Sequence, residues 1–151
     1  MILVSACLLG IRTRYDGASC WCPQVLDITG THGVIAVCPE LLGGLGVPRA
    51  PATIVGGRFG REGEDVLAGR ARVLTPEGRD VTWAFVAGAR RALELALTHG
   101  VRVCYLKDRS PSCAYDPMGL NPDGGPGLGV FAALARAYGL EVREVRAWRR
   151  G

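Results

Sequence analysis

The sequence predicts a single α/β domain: a mainly parallel sheet with helices on both faces and long Gly/Pro-rich loops at the carboxyl edge of the strands. Three observations carry that expectation. Short apolar runs of strand length alternate with segments of helical periodicity, the pattern of parallel strands joined by helical crossovers. Those runs end in loops rich in glycine and proline, of which the chain holds 22 and 9. With 151 residues, 48% of them hydrophobic, there is apolar material for one packed core.

The first strand is expected over residues 2–6, a β-type run that gives way to Cys7 and then to a loop over 10–17. A weak helix around 23–28 and the turn Thr29-Gly30-Thr31-His32-Gly33 lead to a second strand over 34–37, which also stops at a cysteine, Cys38. Residues 41–51 should be irregular, because Pro48 and Pro51 cannot donate to a central ladder. An extended piece over 70–74, part of a hairpin or small excursion, precedes the turn Thr75-Pro76-Glu77-Gly78. A long helix follows over 81–98: Val81, Phe85, Ala89, Ala92, Leu93 and Ala96 recur at three- and four-residue steps, Asp80 caps its start and Gly100 ends it. A third strand over 101–106 runs into Lys107-Asp108-Arg109-Ser110-Pro111-Ser112-Cys113. A Gly/Pro loop to Gly127, a helix over 128–138, a stop at Gly139 and a strand over 141–145 complete the chain. In a Rossmann-like sheet of this kind ligands bind outside the carboxyl ends of the strands, where strand order reverses. Cys7, Cys38 and Cys113 should therefore meet at one rim.

The formal charge of +4 does not point to nucleic-acid binding, because the basic residues are dispersed. Their one dense cluster, Arg146, Arg149 and Arg150 around Trp148, reads as a solvated terminus. Arginine supplies all the basic residues except Lys107. The N-terminus lacks the basic and apolar regions and the cleavage site of a signal peptide, and no stretch approaches the roughly 20 apolar residues of a membrane span. A cytoplasmic location is expected, where thiols stay reduced, so the 6 cysteines are to be explained as ligands, nucleophiles or core filler before they are explained as bridges. Cys104, inside an apolar strand, reads as core filler. Cys20 and Cys22 read as solvated loop thiols, with a sulfur relay or a metal-binding pair as alternatives. The glycines of 124–129 come too late and with the wrong spacing for a dinucleotide fingerprint, although a helix N-terminus there would suit an anion such as a nucleotide phosphate.

Three cysteines converging from separate loops can bind a metal ion, hold an iron-sulfur cluster or perform thiol chemistry. Structural zinc wants four protein ligands and catalytic zinc usually histidine; His32 lies in a turn and His99 at a helix end. A cubane cluster has four irons, so three thiolates leave one iron open as a Lewis acid for a soft sulfur donor. Spacing alone leaves a non-catalytic iron-sulfur or zinc protein and a thiol-based sulfur carrier as alternatives.

The order of motifs adds to this. Val4-Ser5-Ala6-Cys7-Leu8-Leu9-Gly10, Arg14-Tyr15-Asp16-Gly17, Val37-Cys38-Pro39-Glu40, Gly43-Gly44-Leu45 with Pro48-Arg49 and Pro51, Gly63-Glu64-Asp65-Val66, Asp80-Val81-Thr82, and Leu106-Lys107 with Ser110-Pro111-Ser112-Cys113 together resemble the thiouracil desulfidase family over nearly the whole chain. The resemblance implies a [4Fe-4S] cluster on Cys7, Cys38 and Cys113, with one iron open. It further implies a catalytic carboxylate and serine, matching Glu40 and Ser110, with Arg14, Asp16, Lys107 and Ser112 as candidate substrate contacts. The implied activity is non-redox desulfuration of a thiolated pyrimidine base or nucleoside, of 2-thiouracil or 4-thiouracil type, giving the oxo base and hydrosulfide. Three features depart from the family pattern: Ala114 in place of a glycine, Thr53 in place of a frequent glutamate, and Cys20-Trp21-Cys22, which has no counterpart.

Overall fold

A computed structural model describes residues 1–114 and 128–146. The loop over 115–127, with the glycines at 124, 125 and 127, and Trp148, Arg149 and Arg150 lie outside the described residues. The element order is β1 (Ile2–Ser5), a 3-10 turn (Ala6–Leu9), α1 (Gln24–Thr29), β2 (Val34–Val37), α2 (Pro39–Leu42), β3 (Thr53–Val55), α3 (Glu62–Leu67), β4 (Arg72–Leu74), α4 (Thr82–Thr98), β5 (Val103–Lys107), α5 (Val130–Ala137) and β6 (Glu141–Val145). β1, β2, β5 and β6 form a fully parallel sheet in the order β2-β1-β5-β6, while β3 and β4 pair antiparallel as a separate hairpin.

Side chains alternate across β1, so one strand serves two cores. Leu3 joins the larger core with Phe85 of α4, Cys104 and Leu106 of β5, and Phe131 of α5. Ile2 and Val4 face the opposite way, onto Val25 of α1, Leu8, Cys20 and Cys22. Helices therefore cover both faces, as the alternating pattern predicts. Each fully buried large apolar side chain contributes about 1.5–3 kcal/mol, and Leu3, Val4, Leu8, Phe85 and Phe131 are all buried to that degree.

The short elements are where the structure adds to the sequence. α2, α3 and β3 are three to six residues long, too brief for a hydrophobic period to register. The long helix begins at Thr82; Asp80 serves it from outside, its Oδ1 accepting the Thr82 N–H at 2.9 Å. Val101, expected in the third strand, instead donates its N–H to the Ala96 carbonyl at 2.9 Å and completes the helix end, with Gly100 in the left-handed region at φ 69°. β5 consequently starts at Val103.

One close contact fixes the part of the fold that carries the site. A Cβ on Gly88 of α4 would collide with the Pro39 carbonyl, and one on Gly43 with the Ala84 carbonyl. The two helices thus meet backbone to backbone, and Arg91 of α4 donates to the Leu42 carbonyl at the end of α2.

Candidate active site

The chain moves from β1 outward to β2, then crosses back over β1 to β5, so strand order reverses between β1 and β5. Cys7 sits in the 3-10 turn directly after β1, Cys38 between β2 and α2, and Cys113 in the loop after β5. All three line one cavity of about 190 Å³ at this switch point. The Cys113 loop is held by α5: Val130 N–H donates to the Pro111 carbonyl at 2.9 Å, and Phe131 and Ala132 donate to the Ser112 carbonyl at 2.9 and 3.2 Å. Those bonds consume the helix-end donors that the sequence would have offered to an anion. Gly129 lies so close to the Ser112 backbone that no side chain fits between them.

The thiols are sheltered and near one another. Cys7 is pushed well above the ordinary thiol range by a side-chain hydrogen bond with Cys20, by burial and by the nearby Cys113 thiol. Burial drives Cys113 up to about 11 against hydrogen bonds from Ser5 and Ser112, with Cys38 and Glu40 adding repulsion. Cys38 is raised chiefly by burial, although its sulfur takes backbone hydrogen bonds from Leu41 and Glu40. Three neutral thiols in a low-dielectric pocket form a costly place to put three bare thiolates and a favourable one for a cationic group that all three can bind.

Glu40 is held at both oxygens. Arg49 Nε donates to Oε1 at 3.1 Å and Ser112 Oγ donates to Oε2 at 3.0 Å. Ser110 Oγ accepts the backbone N–H groups of Ser112 and Cys113 at 3.3 and 3.1 Å and lies 3.0 Å from Ser112 Oγ. With its lone pairs so engaged and the Ser112 proton directed at Glu40, Ser110 donates to Ser112, giving a proton wire that runs Ser110 to Ser112 to Glu40. Arg49 also reaches the Thr13 carbonyl at 2.9 Å and the Cys38 sulfur at 3.9 Å.

The other residues singled out from the sequence are placed unevenly. Arg14, Lys107, Ser110 and Ser112 line the cavity; Asp16 does not. Asp16 Oδ1 accepts the Ala18 N–H at 2.9 Å, and its other oxygen stands 4.0 Å from Arg14, so it shapes the 14–18 turn. Lys107 Nζ donates to the Asp108 carbonyl at 2.7 Å. Cys104 is fully buried. Cys20 and Cys22, expected in solvent, are buried in the smaller core: Cys20 N–H donates to the Cys7 carbonyl and Cys22 N–H to the Leu8 carbonyl, which folds the loop inward.

Four further residues belong to the site. Arg49 is flagged in the sequence only as an arginine between prolines. Ser5, a lone polar residue in an apolar strand, accepts the Lys107 N–H at 3.0 Å and so ties β1 to β5 at the rim. Thr13 acts through its carbonyl. Arg109 lines the cavity in the left-handed region, φ 53°, a conformation that costs a non-glycine residue on the order of 1 kcal/mol.

The donor set suits a cluster better than a single ion. Among the described residues no three His, Cys, Asp or Glu side chains stand close enough to hold one metal ion. The three thiols share a cavity all the same, and no histidine joins them there. Soft sulfur donors spaced around a chamber fit an iron-sulfur cluster, whose irons each take a single thiolate.

The comparisons with known proteins agree with this geometry. The family model described as 2-thiouracil desulfurase matches residues 2–145. The Bacillus subtilis (strain 168) protein named "Uncharacterized protein YbbK" is 39% identical over 145 residues, spanning 94% of this chain and 93% of its own length. A solved structure titled [4Fe-4S]-dependent thiouracil desulfidase TudS superposes with a TM-score of 0.73 at 39% identity, over 95% of this chain and 89% of that one.

Proposed function

The chain belongs to the 2-thiouracil desulfurase family, and from that premise we propose that it is a [4Fe-4S]-dependent desulfidase that hydrolyses a thiolated pyrimidine of 2-thiouracil or 4-thiouracil type. Cys7, Cys38 and Cys113 would hold the cluster. The observation that carries the reading is their sharing of one cavity with a doubly clamped carboxylate, Glu40.

When bound on three thiolates, the cluster supplies one iron as a soft Lewis acid for the thiocarbonyl sulfur. Every other task falls to side chains. Glu40 takes a proton from the attacking water. Ser112, already donating to Glu40 Oε2, steadies the carboxylate before transfer, and Ser110 behind it can replace the proton that Ser112 gives up. Arg49 keeps Glu40 Oε1 fixed. Arg14, Lys107 and Arg109 make the rim cationic, which suits the electron-rich oxygens of a pyrimidine. The balance is C=S plus water to C=O plus hydrogen sulfide, with no net electron transfer.

The test is sulfide release from 2-thiouracil and 4-thiouracil by the anaerobically reconstituted chain, with iron and sulfide counted. Activity together with bound iron supports the reading, with iron lost in Cys7→Ser, Cys38→Ser and Cys113→Ser. Glu40→Gln should retain iron and lose about 10²–10⁴ in kcat, the usual worth of a general base. Equal iron and equal turnover in all five proteins would overturn it.

A further inference from the structure

Cys20 stands behind Cys7. Its N–H donates to the Cys7 carbonyl at 2.9 Å, and the neighbouring Cys22 N–H donates to the Leu8 carbonyl at 3.1 Å, so two backbone bonds pin this strand of loop against the turn that presents Cys7. The Cys20 side chain is buried among Ile2, Val4, Leu8 and Val25. A side-chain hydrogen bond joins the two thiols. Cys7 lines the cavity and Cys20 does not, so Cys20 meets the Cys7 sulfur from the protein side while the opposite side of that sulfur faces the chamber.

Resting on the cluster assignment above, we propose that Cys20 is a positioning residue: its thiol donates a hydrogen bond to the Cys7 thiolate and thereby raises the reduction potential of the cluster. A ligated Cys7 has surrendered its proton and can only accept. Cys20, in an apolar pocket, keeps its proton and can donate. Hydrogen bonds to ligand sulfur are among the levers that set cluster potential, because they stabilise the more negative, reduced state most. In a dry environment such a bond is stronger than in water. The bond also holds the Cys7 rotamer toward the cavity, as second-layer partners orient metal ligands generally.

The experiment uses the full chain, reconstituted anaerobically, as wild type and as Cys20→Ser, Cys20→Ala and Cys20→Val. Iron content is measured first and the midpoint potential second, by a redox titration followed by electron paramagnetic resonance. All four should hold the same iron. Cys20→Ala and Cys20→Val should shift to a more negative potential, the latter without leaving a void, whereas Cys20→Ser, whose hydroxyl still donates, should stay near wild type. An unchanged potential in the alanine and valine variants overturns the proposal, as does a serine variant that follows them. Iron loss in all three variants would make Cys20 a ligand or a structural staple and would also overturn it. A wild-type chain that takes up no cluster would sink the cluster assignment itself, and this inference with it.

Discussion

Arg49 ties Glu40 to Cys38: its Nε holds the Glu40 carboxylate at 3.1 Å while its Nη2 stands 3.9 Å from the Cys38 sulfur. The side chains of Arg49 and Glu40 are only 9% and 14% exposed, so water competes weakly for either. The base and one proposed ligand are consequently placed by a single guanidinium.

Arg49→Ala should leave Glu40 free at one oxygen and lower kcat about tenfold to hundredfold, the scale of a misplaced catalytic group. Arg49→Lys should recover little, because a point charge cannot span carboxylate, carbonyl and sulfur together. Steady-state kinetics at matched iron content checks both. Wild-type kcat in Arg49→Ala would contradict the positioning role.

Cys104→Ser should separate core from site. Cys104 lies fully buried in β5 and is pushed up to about 12 by burial and by Cys113. Its serine replacement should cost about 1–3 kcal/mol for a buried hydroxyl without a ready partner, yet keep its iron. Denaturant unfolding and iron analysis read the two effects independently; iron loss from this variant would extend the ligand set.

Acid sensitivity should trace to Asp65. Its carboxylate is 1% exposed and takes four hydrogen bonds from Arg58, including one at 2.7 Å from Nη2, with Arg70 at 3.6 Å. Those bonds hold its carboxyl well below the ordinary carboxylate range. The sign follows: a depressed acid stabilises the fold fully above the unfolded-state value near 3.9 and loses that contribution as pH falls further. Melting temperature against pH should therefore decline more steeply below about pH 4 in wild type than in Asp65→Asn, which is less stable at neutrality. Parallel curves would refute the assignment.

Gly88→Ala should do more harm than an added methyl on a helix normally does. With the Pro39 carbonyl in the way, α4 must move off α2, at a cost of about 1–3 kcal/mol. Because α2 carries Glu40, turnover should fall together with melting temperature. An active, fully stable Gly88→Ala protein would show that the contact is not required.

The fold was legible because its strands are short apolar runs that break at chemically distinct residues: β1 before Cys7, β2 before Cys38. Parallel topology then brings residue 113 to the same edge as residue 7, and the structure places both on one cavity. What the sequence hid has a common cause. Arg49 acts on Glu40 through a loop with no period to read, and Cys20 reaches Cys7 because two backbone bonds turn its loop inward. Asp16, a candidate for substrate contact by its place in a motif, spends one oxygen on the Ala18 N–H. Local hydrogen bonding of that sort leaves no mark in hydropathy.

The loop bearing Cys113 finds partners for its carbonyls in Val130, Phe131 and Ala132 of α5. A nascent chain that has emerged as far as β5 has its first two thiols in hand but nothing yet to brace the third. The chamber is thus a late product of synthesis, and a chain cut short before α5 would hold every proposed ligand while lacking the wall that aims the last of them.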